Sequence, residues 1–207
     1  MSEYVPPNPV EAPPHVHQLL SRLHRVSTEQ ERTFDIRTIP LDQFGDFMRD
    51  KFVALEQDKC AFVYQLIRAT GARNVVEIGT SFGVSTIYLS LAVGKNIKTL
   101  GGSGVVIGTE LEPSKAAIAR KHWDEAGSQI SELIELREGD LRETLAKDVP
   151  QIDLLLLDIV LCDNPIASAV RYKDLQTYMR AEGSGYANLT VPYHSGFEVS
   201  VYEGRKG

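Results

Sequence analysis

An apolar run that stops at a glycine and passes directly into a helical pattern is what most constrains this chain. Residues 74–78 are mostly apolar and end at Gly79, and residues 84–93 behind them repeat apolar positions at helical spacing. The alternation then recurs. Residues 105–108 form a second run, with a helix opening at Pro113, a residue favoured in a first helical turn. Residues 133–136 form a third, with a short helix over 141–147. Residues 152–157 form a fourth, apolar except for Asp153, as befits a strand buried on both faces. Strands alternating with helices predict an α/β fold with a Rossmann-like, doubly wound, mostly parallel sheet.

The flanks read differently. Val16, Leu19, Leu20, Leu23 and Val26 place one amphipathic helix in front, and helices over 41–53 and 56–70 follow, the last capped by Gly71. This is an N-terminal helical extension. Residues 166–180 read as a further helix. Residues 188–193 and 197–202, joined at Ser195-Gly196, read as a C-terminal antiparallel hairpin. Residues 1–14 hold five of the ten prolines and predict an extended, disordered tail, leaving residues 15–207 as a single domain.

Bulk properties narrow the partners. A formal net charge of −6 argues against nucleic-acid binding, which draws on clustered Lys and Arg. No apolar run approaches the ~20 residues of a membrane helix, and the N-terminus lacks the pattern of a secretory signal. Cys60 and Cys162 make no disulfide framework and fall in apolar runs, so they read as core residues of a cytoplasmic protein. His15 and His17 beside the prolines read as solvated, and His24 falls on the polar side of its helix. His194-Ser195 finds no Asp to complete a triad. Trp123 reads as packing or as a border to a ligand.

In an open parallel sheet, ligands bind beyond the carboxyl ends of the strands. Glu77, Glu110, Asp140 and Asp158 stand at four successive ends. One acidic residue at an exposed strand end means little; four in register point to an electronegative crevice. The first turn, Glu77-Ile78-Gly79-Thr80-Ser81-Phe82-Gly83-Val84-Ser85, has glycines where backbone must approach a ligand closely. A dinucleotide site needs G-x-G-x-x-G to hold a pyrophosphate on a helix N-terminus. Only two of those glycines are present, and Glu77 would repel phosphate. S-adenosylmethionine (SAM) carries no phosphate and is net cationic, which suits this turn. Glu110 is then placed to accept the ribose hydroxyls, and Asp140 to border the adenine.

Four blocks, V-V-E-I-G-T-S-F-G-V-S-T, G-T-E-L-E-P, R-E-G-D-L-R-E-T-L and I-D-L-L-L-L-D, resemble in order and spacing the small O-methyltransferases of the catechol and caffeoyl-CoA type. The resemblance runs from about Asp58 to Asp158, and G-F-E-V-S-V resembles the closing strand. It implies a SAM pocket at Glu77, Gly79, Thr80, Ser81, Gly83, Ser85, Glu110, Leu111, Asp140 and Leu141. It also implies methyl transfer to an oxygen of a small-molecule acceptor, often a phenol, often with a divalent cation such as Mg2+. Residues 15–70 resemble a lid and dimer-contact region, which keeps a homodimer open.

In metal-dependent members of that family, an Asp ends the fourth strand, a helix crosses over, and Asp-Asn ends the fifth. Asp158 matches the first position, also the one catalytic candidate, and Asp163-Asn164 match the pair in type. Only Ile159-Val160-Leu161-Cys162 lies between, whereas adjacent parallel strands need a crossover of a dozen or more residues. Five residues of strand span roughly 16 Å, so an extended run cannot bring Asp158 and Asp163 onto one ion. The family's lysine after the fourth-strand Asp also has no counterpart. The reading is a SAM site largely present and an acceptor and metal side lacking its crossover; a tight reversal at 158–160 is the alternative. The rival functions are a SAM-binding remnant or interaction protein without turnover and, more weakly, a nucleotide-dependent oxidoreductase.

Overall fold

A computed structural model describes residues 8–35, 38–40, 42–157, 169–194 and 196–204. The chain divides into two compact units, Met1–Leu156 and Leu157–Gly207. In the first unit, helices α1 (Pro14–Glu31), α2 (Phe44–Met48) and α3 (Gln57–Thr70) precede β1 (Asn74–Ile78) and α4 (Val84–Leu100). Then come β2 (Val105–Glu110), α5 (Pro113–Ala126), α6 (Ser128–Ser131), β3 (Ile134–Glu138), α7 (Leu141–Thr144) and β4 (Leu154–Leu157). The strands form one sheet in the order β3-β2-β1-β4. The β1–β2 and β2–β3 ladders are parallel, with Ile78 beside Thr109 and Glu110 beside Glu138. This is the doubly wound arrangement the alternating pattern predicts, with β1 at the point where strand order reverses.

Several elements differ from the sequence reading for physical reasons. Helix α4 runs on through Gly94 to Leu100, and a small residue suits position 94, where a Cβ would lie 3.1 Å from Leu133 Cδ1. Helix α2 is only five residues long, against the longer helix expected over 41–53. Gly71 does cap α3, in the left-handed conformation. Asp153, the polar exception in the fourth run, accepts the Arg73 and Asn74 amides, each at 2.9 Å, and so pins β4 to the start of β1.

Residues 8–13, part of the expected disordered tail, are docked. Val10 is buried, the Glu11 amide donates to the Tyr64 hydroxyl at 3.3 Å, and Glu11 pairs with Lys95 on α4. His15 is not loose either: it sits in the first turn of α1, with Nε2 3.2 Å from the Ala126 carbonyl oxygen. Val26, assigned to the buried face of α1, is exposed, and Ser27 is buried in its stead. Cys60 is a core residue as expected.

The second unit holds α8 (Ala169–Arg180) and an antiparallel pair, β5 (Tyr186–Val191) and β6 (Phe197–Tyr202). The expected hairpin is present, as a two-stranded sheet of its own. Among the described residues no helix is long and apolar enough to cross a membrane.

His24, expected at the surface, is half-buried, with Nε2 2.9 Å from the Tyr88 hydroxyl of α4. Burial pushes the imidazole down from 6.5 to about 4, against the opposing fields of Glu56 and Asp58. Between those values the unfolded chain binds the extra proton, so this contribution to stability is complete above pH 6.5 and is lost as pH falls toward 4. Urea unfolding at about pH 7 and about pH 5 should show a smaller loss of stability in His24→Gln than in wild type; equal losses would contradict this.

Candidate cofactor site at the strand ends

The site is built around the turn from β1 into α4. Glu77 points from β1 into the protein and is fully buried. Its carboxylate accepts three hydroxyls: Thr80 Oγ1 at 3.1 Å, Ser85 Oγ at 2.5 Å and Thr86 Oγ1 at 2.6 Å. A buried carboxylate needs such donors to offset its lost hydration. Glu77, Thr80 and Ser85, expected to face the cofactor, are thus buried together as the clamp that shapes the turn. Thr86, the third donor, closes the first of the four sequence blocks but is not among the pocket residues that the resemblance implies. Its signal was its place beside Ser85 in the first turn of α4.

The glycines of the turn have separate tasks. Gly79 holds a φ of +90°, and its amide donates to the Thr109 carbonyl at 3.2 Å. Gly83 holds a φ of +77°, and a Cβ there would lie 2.4 Å from Trp123 Nε1. Trp123 is buried and donates from Nε1 to the Gly83 carbonyl at 3.0 Å, so it packs beneath the turn. On β2, a Cβ at Gly108 would come within 2.4 Å of Thr80 Oγ1. That strand needs a glycine there for the Glu77 cluster to close, a requirement no motif announces.

Glu110 ends β2, nearly buried. One oxygen accepts the Ser81 amide at 2.7 Å and the other the Glu112 amide at 2.8 Å. Ser81, with a φ of +50°, is one of two non-glycine residues recorded in the left-handed region, and that bend aims its amide at Glu110. The carboxylate is therefore oriented from two loops at once. Leu111, directly after it, is 65 % exposed, and Leu141 is also exposed. Asp140 caps α7 by accepting the Arg142 amide at 2.9 Å. The Arg142 side chain and amide hold the Asp140 carboxyl at about 2.

The structure thus brings Gly79, Ser81, Glu110 and Leu111 to the carboxyl ends of β1 and β2, and places Asp140 and Leu141 just beyond β3. Asp158, Asp163 and Asn164 lie outside the described residues, as does Cys162. Among the described residues no group of three or more His, Cys, Asp or Glu side chains could hold a metal ion. Distance in sequence hid other residues: Phe52 stacks on Phe82 of the turn at 4.4 Å between centroids.

The sequence profile of the O-methyltransferase family, Methyltransf_3, matches residues 40–183, well over half of the chain. The chain belongs to the O-methyltransferase family. It is 28% identical to a catechol O-methyltransferase of Niastella koreensis over 110 residues, 51% of this chain and 46% of that one. It is 32% identical to a putative O-methyltransferase of Mycolicibacterium vanbaalenii over 107 residues, 51% of this chain and 43% of that one. The match thus spans less than half the length of either relative. In structure, the chain resembles the O-methyltransferase TomG of Streptomyces achromogenes, solved in complex with SAM. The TM-score is 0.54 at 16% identity, over 94% of this chain and 92% of that one. At that identity the likeness bears on the fold, and the fold is the Rossmann-like one described above.

Replacing Glu77 by Gln supplies one acceptor oxygen for three hydroxyl donors. Glu77→Gln is expected to lower unfolding stability by roughly 2–3 kcal/mol; an unchanged midpoint in denaturant would contradict the clamp.

Proposed function

We propose that this chain binds SAM at the carboxyl ends of β1, β2 and β3 and transfers a methyl group to a hydroxyl oxygen of a small, phenolic acceptor. The observation that carries the reading is the Glu110 carboxylate. It is fixed by one backbone amide on each oxygen, and a carboxylate oxygen has a further acceptor position beyond the first. Two adjacent hydroxyls of a ribose match that pair of acceptors. Exposed Leu111 and Leu141 at the ends of neighbouring strands suit a flat, apolar base. Gly79 lets backbone approach the cofactor without a Cβ in the way. Glu77, Thr80, Ser85 and Thr86 act from beneath by fixing the turn. The catechol O-methyltransferase relative and the SAM complex of TomG favour the same cofactor and reaction.

Bound SAM would supply a methyl group made electrophilic by its sulfonium. The contribution of these residues is positioning, which can account for a large share of the barrier to a bimolecular transfer. Asp158, Asp163 and Asn164 match in type the residues that hold a divalent cation in the family, but the four residues between Asp158 and Asp163 are too few for an extended run to bring both onto one ion. A SAM-binding protein without turnover is the second reading, favoured by the four residues that alone separate Asp158 from Asp163.

Transfer of labelled methyl from SAM to a panel of catechols, with and without Mg2+, tests the proposal. Labelled product is expected, and Glu110→Ala should raise the KM for SAM by about tenfold or more. Absence of product with every acceptor would favour the second reading.

A further inference from the structure

The turn that follows β3 is held from two sides, and one of its residues takes up a whole carboxylate. The Gly139 amide donates to the Glu110 carbonyl at 2.9 Å, which seats Asp140 beside the carboxyl end of β2. From behind, Arg137 of β3 donates to the carbonyls of Thr144 at 2.8 Å and of Lys147 and Asp148 at 2.9 Å. Those bonds fix the backbone of α7 and of the loop that leaves it. On the other side Arg142 closes on Asp140. Its amide donates to Oδ1 at 2.9 Å and Nη2 donates to Oδ2 at 2.5 Å, while Nε lies 3.0 Å from Oδ1 and 3.1 Å from Oδ2. A carboxylate offers about four acceptor positions, and Arg142 alone fills them. An aspartate beside an adenine is suited to accept the 6-amino group, but here the positions for that bond are taken. The same contacts hold the Asp140 carboxyl at about 2, so protonation does not open the pair near neutral pH.

We propose that Arg142 sets the purine preference of the cofactor site: it withholds Asp140 from the 6-amino group of the base, so that SAM gains little from that amine on binding. The inference rests on the SAM reading above. Three observations support it. The backbone under Asp140 is pinned by Arg137 and by Glu110, so the carboxylate cannot shift to find a second partner. Arg142 meets it with a charged, two-nitrogen fork, against which a neutral amine is the weaker donor. The exposed Leu111 and Leu141 act on a base through apolar area, which does not depend on the amine. The Arg142 side chain is itself 84% exposed, and an exposed pair adds little to folding stability, so it can be removed with the fold intact.

Calorimetric titration with two ligands tests this: S-adenosylhomocysteine, and its analogue whose base is unsubstituted purine without the 6-amino group. Wild type should bind the two with dissociation constants within about threefold of each other. Arg142→Leu and Arg142→Ala free Asp140, and each should bind S-adenosylhomocysteine more tightly while the purine analogue stays near its wild-type value. The ratio between the ligands should then widen to about tenfold, the worth of a hydrogen bond to a charged acceptor. Adding Asp140→Ala to either variant should remove the widening. A distorted α7 would weaken both ligands alike and leave their ratio unchanged, so the ratio separates an acceptor set free from a damaged loop. Wild type that already prefers the amine by tenfold, a ratio unmoved in both Arg142 variants, or a widening that survives Asp140→Ala would each overturn the proposal. Wild type that binds neither ligand would overturn the cofactor reading and this inference with it, whereas binding with a ratio indifferent to Arg142 would overturn this inference alone.

Discussion

A carboxylate taken out of water must be met by hydrogen-bond donors or a counter-charge, because the lost hydration is worth several kcal/mol. Glu77 is met by three hydroxyls, from Thr80, Ser85 and Thr86, and much of the turn from β1 into α4 follows from that requirement. Thr80 must turn back toward β1, so Gly79 takes a left-handed conformation. Thr80 must also fit against β2, so position 108 is glycine. Ser85 and Thr86 must come from the first turn of α4, so the helix starts directly after Gly83. Gly83 in turn leaves room for the Trp123 indole. One buried charge thereby sets the path of the whole turn.

The two glutamates at the centre of the sheet divide the work. Glu77 is sealed below the turn and acts on the protein. Glu110, one strand over, reaches the edge of the sheet and is oriented by amides of the same turn and of its own loop. The Ser81 amide is the link between them: the turn that Glu77 holds is the turn that aims Glu110. A substitution at Glu77 would therefore disturb the orientation of Glu110 as well as stability. Glu112, which accepts from Arg49, and Lys115, which donates to the Met48 carbonyl, extend the arrangement outward to residues 48–54, so the helical front of the chain is coupled to the same two loops.

Much of this fold was legible because it rests on local pattern. Apolar runs ended by Gly79 or followed by Pro113 fixed the strands and helices, and Gly71 announced a helix cap that the structure has. The parallel pairing followed from alternation alone, whereas the strand order is read from the structure. The acidic strand ends pointed to a candidate site at the carboxyl edge of the sheet but could not divide buried from exposed residues. Glu77 and Glu110 look alike in sequence, and only the hydroxyls packed around one of them tell the two apart. What escaped the sequence depends on pairs far apart in the chain: Phe52 with Phe82, His24 with Tyr88, Gly108 with Thr80, and Glu11 with Lys95. The docking of residues 8–13 was hidden in another way, because five prolines in the first fourteen residues suggest looseness while proline also suits an extended segment laid against helices.

Calorimetric titration with S-adenosylhomocysteine, set beside NAD, tests the central claim most directly. The account predicts saturable, one-to-one binding of S-adenosylhomocysteine by wild type, no binding of NAD, and affinity greatly weakened in Glu110→Gln. Binding of NAD, or S-adenosylhomocysteine affinity indifferent to Glu110, would contradict it.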